Sequence, residues 1–325
     1  MKDIDNFLDE KKIKKSMRIA KLKLTIKIVI ISALVFIIGS FINNKLSLKY
    51  SEMSYEKQEA IVKLTIPNGY ISEANDLLGV LGGTSFKKIS KSIAGRNIII
   101  DDSITRFGIN GNERYNSRFD RVVGMGYGNY NSDWPVYTNE YGYRKLRFFH
   151  PEIDYKEYQN DLDYIEKIPN GKVVELAISF DKPYKISELY MIQSKLKNTD
   201  ITWLWLDEFT DKKMEEFKYK IDNYDSKSSG IEEVETIGIE CYNSKNFNRD
   251  EYNEKYNELI ERLSKSPYMN HKQLYDEIME RGKTSADDAE ILGIVVHGTK
   301  EELKEIVGLP IIKASSFGIV ADPIY

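Results

Sequence analysis

The side chains that most often carry enzyme chemistry are few and scattered in this sequence. Its 325 residues contain three histidines, His150, His271 and His297, and one cysteine, Cys241. One cysteine excludes an intramolecular disulfide, and histidines this far apart, with no second ligand type nearby, exclude a typical structural zinc site. His150 and His297 each end a strand-like run, where a histidine can act as a base but more often packs or caps. Cys241 has no histidine or basic neighbour, which is typical of a buried apolar thiol.

Acidic pairs and glycine-rich runs are candidates for calcium-binding and phosphate-binding sites. The pairs Asp101–Asp102 and Asp287–Asp288 offer the oxygen ligands that calcium prefers, but neither has the 12-residue spacing of an EF-hand. The glycine-rich runs at 79–83 and 124–135 do not match a phosphate-binding loop, so we interpret them as turns. No Gly-x-Ser-x-Gly elbow is present. The sequence therefore predicts no catalytic, cofactor-binding or metal-binding residue and a protein that is not an enzyme, with a membrane-tethered hydrolase as a minor alternative.

The N-terminal part of the chain differs in composition from the rest. Residues 1–23 carry eight basic and four acidic side chains, and the apolar run Leu24–Ile42 follows, interrupted only by Lys27. As a helix, nineteen residues span about 28 Å, close to the roughly 30 Å hydrocarbon core of a bilayer. Lys27 lies one turn from the inner end, from which its long side chain can reach the headgroups. The pattern predicts a single transmembrane helix over residues 24–42.

The charge distribution predicts the orientation of this helix. From Asn43 onward the chain holds 38 basic and 47 acidic residues, the totals of 47 and 51 less the nine and four that come before. The excess of positive charge before the apolar run places the N-terminus in the cytoplasm and the C-terminal domains outside the cell membrane. A buried helix of a soluble protein and a cleaved signal peptide are the alternatives, but a single-pass signal-anchor explains the pattern better.

Beyond the membrane we predict a stalk at 43–58, a β-rich extracytoplasmic domain at 59–151 and an α/β C-terminal domain at 152–325. In the β-rich domain, Ala60–Pro67, Asn97–Asp102 and Arg144–Pro151 have the patterns of strands. The aromatic residues Trp203 and Trp205 alternate along a run of the C-terminal domain, which most often indicates core contacts. A tyrosine-rich acidic surface for a partner is the minority interpretation, and the negative charge argues against direct binding of nucleic acid.

The C-terminal domain shows a repeated order of strand, helix and strand. The predicted strands are 172–180, 200–209, 290–298 and 311–322, and the predicted connecting helices are 186–197 and 299–308. Thr299 and Glu302 have the spacing of a capping box at the start of the second helix. Two amphipathic helices, about 250–264 and 271–281, lie between the two units as an insertion. The fold class is therefore α+β, with a split βαβ, ferredoxin-like C-terminal domain.

The inner segment is the one candidate for binding residues. On a helix, Ile4, Phe7 and Leu8 share one face, and Ile13 and Met17 form a second, offset pair. Such a short amphipathic segment can lie on anionic headgroups through its lysines, which is the more common behaviour beside a bilayer. The alternative is that its apolar face docks in the groove of a cytoplasmic partner.

Several blocks of the sequence resemble the membrane-bound sigma factor regulators of Gram-positive bacteria, which have N-terminal and C-terminal regulator domains. The blocks are "NNKLSLKYS", "LTIPNGYIS", "LLGVLGG", "FFHPEIDYKEYQNDLDYI", "VELAISFDKPYKISEL" and "WLWLDEF". The resemblance implies an anti-sigma factor that holds an extracytoplasmic-function sigma factor at the membrane. In this interpretation the residues before about Lys23 bind the sigma factor, the helix conveys the signal, and the outer domains sense envelope conditions.

Two further interpretations stay open at the level of sequence. An interface of usual size takes about 20 to 30 residues from each partner, so an inner segment of 23 residues must use nearly all of its length or rely on a second membrane protein. The alternative function is an extracytoplasmic binding module, for which the transmembrane helix is only an anchor and no sigma factor is bound.

Overall fold

The computed structural model describes residues 10–109, 124–127, 134–207, 210–223, 230–241 and 248–323. Its first element is one uninterrupted helix, α1 (Glu10–Thr65), which includes the apolar run and the whole predicted stalk. The helix ends where Pro67 follows, because the residue before a proline disfavours helical backbone. Asn68 then turns the chain with a left-handed φ of 58°. The mixed helix and sheet class predicted from the sequence is confirmed.

The side chains of residues 24–42 are not covered by any of the residues that the structure describes. All of them are exposed, and α1 is long and apolar enough to span a membrane. Exposed apolar side chains along a helix of this length suit a lipid environment, and this exposure argues against a helix buried in a soluble core. The single-pass membrane anchor predicted from the sequence is consistent with this finding.

The prediction of a strand at Ala60–Pro67 is wrong, because these residues form the last turns of α1. Its side chains Ala60, Ile61, Val62 and Leu64 are all buried. This end of the helix is enclosed by two different sheets, so it buries adjacent positions and loses the 3.6-residue periodicity of a helix with one exposed face. The resulting apolar run then resembles a strand.

A three-stranded antiparallel sheet stands beside the outer half of α1. Its strands follow one another in the order β1 (Gly69–Leu78), β2 (Gly82–Ile93) and β3 (Arg96–Gly108). One end of the sheet contacts α1 near Asn43, and the other contacts the chain at Asn68, whose carbonyl accepts a hydrogen bond from the backbone N–H of Ser92 at 3.1 Å. The 25 residues between these points place the two ends about 35 Å apart. We call the outer half of α1 (residues 43–65) together with β1, β2 and β3 the post.

Short paired strands connect the post to the C-terminal sheet. They are β4 (Gly124–Tyr127) with β5 (Pro135–Thr138), and β6 (Arg147–Phe148) with β9 (Ile231–Glu232). The run Arg144–Pro151, predicted as a strand, contributes only the two residues of β6. Arg144 is half-buried and forms an isolated bridge with Thr138, and the other residues of the run are buried.

The C-terminal sheet has five antiparallel strands in the order β10-β8-β11-β7-β12. Their bounds are β7 (Val173–Lys185), β8 (Asp200–Leu206), β10 (Gly238–Glu240), β11 (Glu290–Thr299) and β12 (Ile312–Ala321). Because each neighbouring pair is antiparallel, β7 runs parallel to β8 with β11 between them, and β11 runs parallel to β12 with β7 between them. The helices α2 (Leu189–Leu196) and α6 (Lys300–Lys304) make these two crossovers. The predicted strands and crossover helices are therefore present, as two interleaved units.

Both faces of the five-stranded sheet are covered. One face packs against α2, α6 and the two predicted amphipathic helices, α4 (Arg249–Lys265) and α5 (Met269–Glu280). The other face carries an aromatic cluster in which Trp203 and Trp205 are fully buried, together with Phe148, Phe149 and α3 (Asp211–Asn223). The prediction that the two tryptophans are core residues is confirmed. The capping box of Thr299 and Glu302 is also present, at the start of α6.

Candidate functional site

The residues predicted to bind a partner lie before the membrane-spanning run. Ile4, Phe7 and Leu8 are outside the described residues. Ile13 and Met17 lie one turn apart on α1, where their side chains are 41% and 55% exposed. Their role in binding stays a prediction.

Polar side chains meet at the junction between the end of α1 and the C-terminal sheet. The Nζ of Lys63, in the last turn of α1, lies 2.6 Å from Oε1 of Glu240 on β10. Beyond the helix, the side-chain amide of Asn68 donates to Oγ1 of Thr202 on β8 at 2.9 Å. These contacts join the end of the long helix to the two strands at one edge of the C-terminal sheet.

A third contact brings in the turn between β2 and β3. The backbone N–H of Ala94 donates to Nδ1 of His297 on β11 at 3.3 Å. Burial, and next the charge of Lys91, lower the pKa of His297 to about 4, although Asp200 opposes them. His297 is therefore neutral near pH 7, and with Nδ1 accepting a hydrogen bond its proton lies on Nε2. The ring can bridge the two parts of the molecule but is a poor general base.

An open cleft of about 710 Å³ lies over these contacts. Its wall is shared by α1, the β2–β3 turn and the edge of the C-terminal sheet, and it includes Lys63, Asn68, Asp200, Thr202, Glu240 and His297. This volume falls in the range of small-molecule sites, and the wall mixes charged, amide and hydroxyl groups. A ligand in the cleft would contact the helix and the C-terminal domain at once.

A buried ionic cluster fixes the post to the C-terminal sheet behind this cleft. Lys91 on β2 forms ion pairs with Glu175 on β7, at 2.7 Å, and with Glu233, and all three side chains are 2% exposed or less. The remaining carboxylate oxygens accept backbone hydrogen bonds, Glu175 from Ile319 and Glu233 from Leu146, both at 3.2 Å. Hydrogen bonding of this kind is what allows charges to persist in a dry interior.

The charges of this cluster influence one another strongly. Burial alone lowers the pKa of Lys91, but the two carboxylates outweigh it and raise the pKa above its ordinary value. Burial raises the pKa of Glu233 against the attraction of Lys91. Lys91 is thus held as a cation, and burial makes Glu233 easier to protonate than an exposed glutamate.

The sequence analysis did not identify this cluster, although one local sign of it exists. Lys91 has the same parity on β2 as Ile89 and Ile93, so a strand that buries these isoleucines must also bury the lysine. Likewise Glu175 interrupts the apolar strand 172–180. Each sign shows a buried charge, but neither identifies its partner.

The other candidate groups do not come together into a reactive site. Cys241 is buried, with its Sγ 2.9 Å from the hydroxyl of Tyr252, and His150 is buried in the aromatic face of the sheet. Burial, and next the charge of Lys313, lower the pKa of His150 to about 3. Among the described residues, no group of three or more histidine, cysteine and acidic side chains is arranged to hold a metal ion.

Comparison with known proteins identifies the domain on one side of the junction. Residues 165–319 match the family model described as sigma factor regulator C-terminal. No curated protein and no solved structure matches the chain. The matched region contains β7, β8, β10, β11 and most of β12, and with them Glu175, Thr202, Glu240 and His297. Their partners Lys63, Asn68 and Lys91 lie before it.

The match also includes "AISFDKPYKISEL", the strongest block of the resemblance noted in the sequence. The resemblance to sigma factor regulators is therefore confirmed for this part of the chain. The chain carries a sigma factor regulator C-terminal domain, which supports its identification as an anti-sigma factor regulator.

Proposed function

We propose that the protein is a membrane-anchored anti-sigma factor that sequesters an extracytoplasmic-function sigma factor through residues 1–23. In this proposal the outer domains sense conditions in the cell envelope. The observation that supports it best is the direct attachment of the sigma factor regulator domain to a helix that runs unbroken back to Glu10. A helix of 56 residues is about 84 Å long, enough to cross a bilayer and extend beyond it on both sides.

The junction offers a physical route for the signal. Lys63, Asn68 and Lys91 each contact the regulator domain, so a movement of that domain pulls on the end of α1 and on the sheet beside it. Since α1 contains no break, displacement or rotation at its outer end reaches its inner end. A regulator of this design releases or retains its sigma factor according to the position of the outer domain. The orientation in this proposal rests on the excess of basic residues before the apolar run.

The test is capture of the sigma factor by the full-length protein in mild detergent, with cytoplasmic partners identified by mass spectrometry. The variant Phe7→Asp/Leu8→Asp places charges on the proposed binding face, and Met269→Asp, at a side chain that is 75% exposed in the C-terminal domain, is the matched control outside the proposed binding segment. We expect a sigma factor with the unaltered protein and with the control, loss of it with the double variant, and derepression of the target promoter in cells. Absence of any sigma factor from the unaltered protein, or an unchanged promoter in the double variant, would contradict the proposal.

The junction cleft favours a second candidate function, an extracytoplasmic binding module with no sigma factor bound. Its polar wall suits a small polar ligand, and the inner segment then serves only as an anchor. Capture of a second membrane protein in place of a sigma factor would favour this candidate. The two functions differ in whether residues 1–23 have a specific partner.

A further inference from the structure

The hairpin between β1 and β2 ends in an exposed apolar tip, which we define as Leu77–Leu81. In this tip Val80 is 89% exposed and Leu77 is 67% exposed, and Leu78 and Leu81 also stand open. Leu81 has a left-handed φ of 54°, a conformation that hairpin turns normally give to glycine or asparagine. Exposing leucine and valine side chains to water is unfavourable, so the composition of the tip points to an apolar environment.

The tip is attached to α1 at the point where the helix leaves the membrane. The side-chain amide of Asn43 donates to the carbonyl of Gly79 at 3.0 Å, and its Oδ1 accepts from the backbone N–H of Leu81 at 2.6 Å. One turn further on, Oγ of Ser47 accepts from the backbone N–H of Gly82 at 3.0 Å. Asn43 directly follows Ile42, the last residue of the apolar run, so these bonds hold the tip at the level of the hydrocarbon boundary.

Other groups near this level fit the same environment. Ile109, just after β3, is 54% exposed and its backbone N–H bonds to the carbonyl of Leu81 at 3.1 Å. On α1, Lys45 lies over the ring of Phe41 at 4.9 Å, and a lysine at a membrane surface favours anionic headgroups. The acidic residue just before the tip, Asp76, accepts a hydrogen bond from Ser51 on α1, on the side away from the membrane.

We propose that the tip Leu77–Leu81 inserts into the boundary between headgroups and acyl chains and forms a second contact with the membrane beside α1. Two contacts fix the post against rotation about the helix axis and against tilting, which a lone transmembrane helix does not do. The lipid surface itself then becomes part of the environment that the outer domains report. The inference rests on α1 spanning the bilayer, and it does not depend on the identity of the cytoplasmic partner.

The test uses the full-length protein in nanodiscs of phosphatidylcholine and phosphatidylglycerol, with an environment-sensitive fluorophore on one introduced cysteine. Three variants are compared: Val80→Cys at the tip, Asn97→Cys at the far end of the same sheet, and Leu34→Cys in the middle of the apolar run. Cys241 is buried, so the unaltered protein serves as the labelling blank. Lipids with a quencher high or low on the acyl chain report the depth of each fluorophore.

We expect the Val80 fluorophore to be quenched best by the shallow quencher, and at least about twofold more than the Asn97 fluorophore, as for an interfacial segment. The Leu34 fluorophore should be quenched best by the deep quencher. Quenching at Leu34 but not at Val80 would overturn the inference alone, and an apolar emission at Val80 without lipid quenching would show that a protein covers the tip. Lack of quenching at Leu34 would overturn the spanning helix and the inference together. Since Val80 and Asn97 are exposed, neither substitution threatens folding.

Discussion

At the scale of single residues, Lys91 and its two glutamates show how a dry interior makes distant parts of the chain interdependent. The three side chains come from β2, β7 and the short turn at 233–235, and none of them reaches solvent. An ion cluster of this kind adds little net stability over a well-packed apolar core, but removal of one member leaves an uncompensated charge. Its value lies in fixing which surfaces of the post and the regulator domain meet.

We expect Lys91→Met to lower the free energy of unfolding by about 3–5 kcal/mol, because Glu175 and Glu233 lose their shared cation. Combining it with Glu175→Gln and Glu233→Gln should recover part of this loss, since the repulsion disappears. The measurement is urea unfolding in detergent, with the fluorescence of the buried tryptophans as the signal. The matched control is Lys88→Met, which breaks only the exposed pair with Glu73 and should change little. Equal losses in the two lysine variants would contradict the role of the cluster.

His297 predicts a dependence of stability on pH. Its pKa is about 4 in the folded protein and near 6.5 when unfolded, so the unfolded state binds more protons between these values. Its contribution is present above pH 6.5 and is lost as the pH falls toward 4. Replacing it in His297→Gln should reduce the loss of unfolding free energy between pH 7 and pH 5 by about 2 kcal/mol.

A substitution at a junction residue that does not titrate separates this pH effect from the simple loss of a contact. Thr202→Val removes the junction hydrogen bond that Asn68 donates and adds no titrating group, so it should lower stability by a similar amount at both pH values. If His297→Gln keeps the full pH dependence of the unaltered protein, His297 is not the group responsible.

At the scale of elements, α1 joins two environments that ordinarily call for separate helices. Its first part is exposed among the residues that the structure describes, while its last turns are buried between the three-stranded sheet and the regulator domain. Transmission along α1 requires an intact backbone between Ser47, where the hairpin tip is held, and Ser54, from which most side chains of α1 are buried or half-buried.

We expect Glu52→Pro to interrupt this segment, since proline removes a helical hydrogen bond and costs about 3 kcal/mol or more in a helix interior. Glu52 is exposed, so the matched variant Glu52→Ala should keep the stability and the helix content. The measurement is limited trypsin digestion in detergent with thermal unfolding, in which the proline variant should gain cleavage at Lys49 and Lys57. If the proline variant is cut no faster than the alanine variant, the result would contradict an intact helix between Ser47 and Ser54.

At the scale of the whole molecule, the two candidate functions differ in what the inner segment does. The described part of this segment, residues 10–23, lies at the opposite end of α1 from the turns that contact the regulator domain, so a change in one does not disturb the packing of the other. Stability and function can therefore be measured independently.

We expect replacement of residues 1–23 by an unrelated basic segment to leave the thermal unfolding of the outer part unchanged and to abolish repression of the target promoter. Retained basic charge keeps the orientation, so a loss of repression reports the loss of a specific binding segment. The measurement is a promoter reporter in cells, with membrane insertion checked by fractionation. Full repression with the replaced segment would favour the binding module and count against an anti-sigma factor.

How much of this fold was predictable depends on whether the determining information is local. Most of the regulator domain follows from local patterns: strand periodicity in 172–180, the capping box of Thr299 and Glu302, and the amphipathic faces of α4 and α5. The edge strand β10 did not follow, because its three residues are too short a pattern to be recognised as a strand. The strand predicted at Ala60–Pro67 failed because a helix end enclosed by two sheets buries most of its side chains.

The sequence by itself determined that this chain has a run able to span a membrane, an acidic remainder, and a C-terminal domain built from strand–helix–strand units. These properties depend on composition and on contacts between neighbours along the chain. Only the tertiary structure decided that Lys91 lies between Glu175 and Glu233, that the junction cleft forms, and that Leu77–Leu81 sit at the level of Ile42. Such contacts join residues tens to hundreds of positions apart. The energy that selects them depends on the packing of whole elements, which local sequence patterns do not determine.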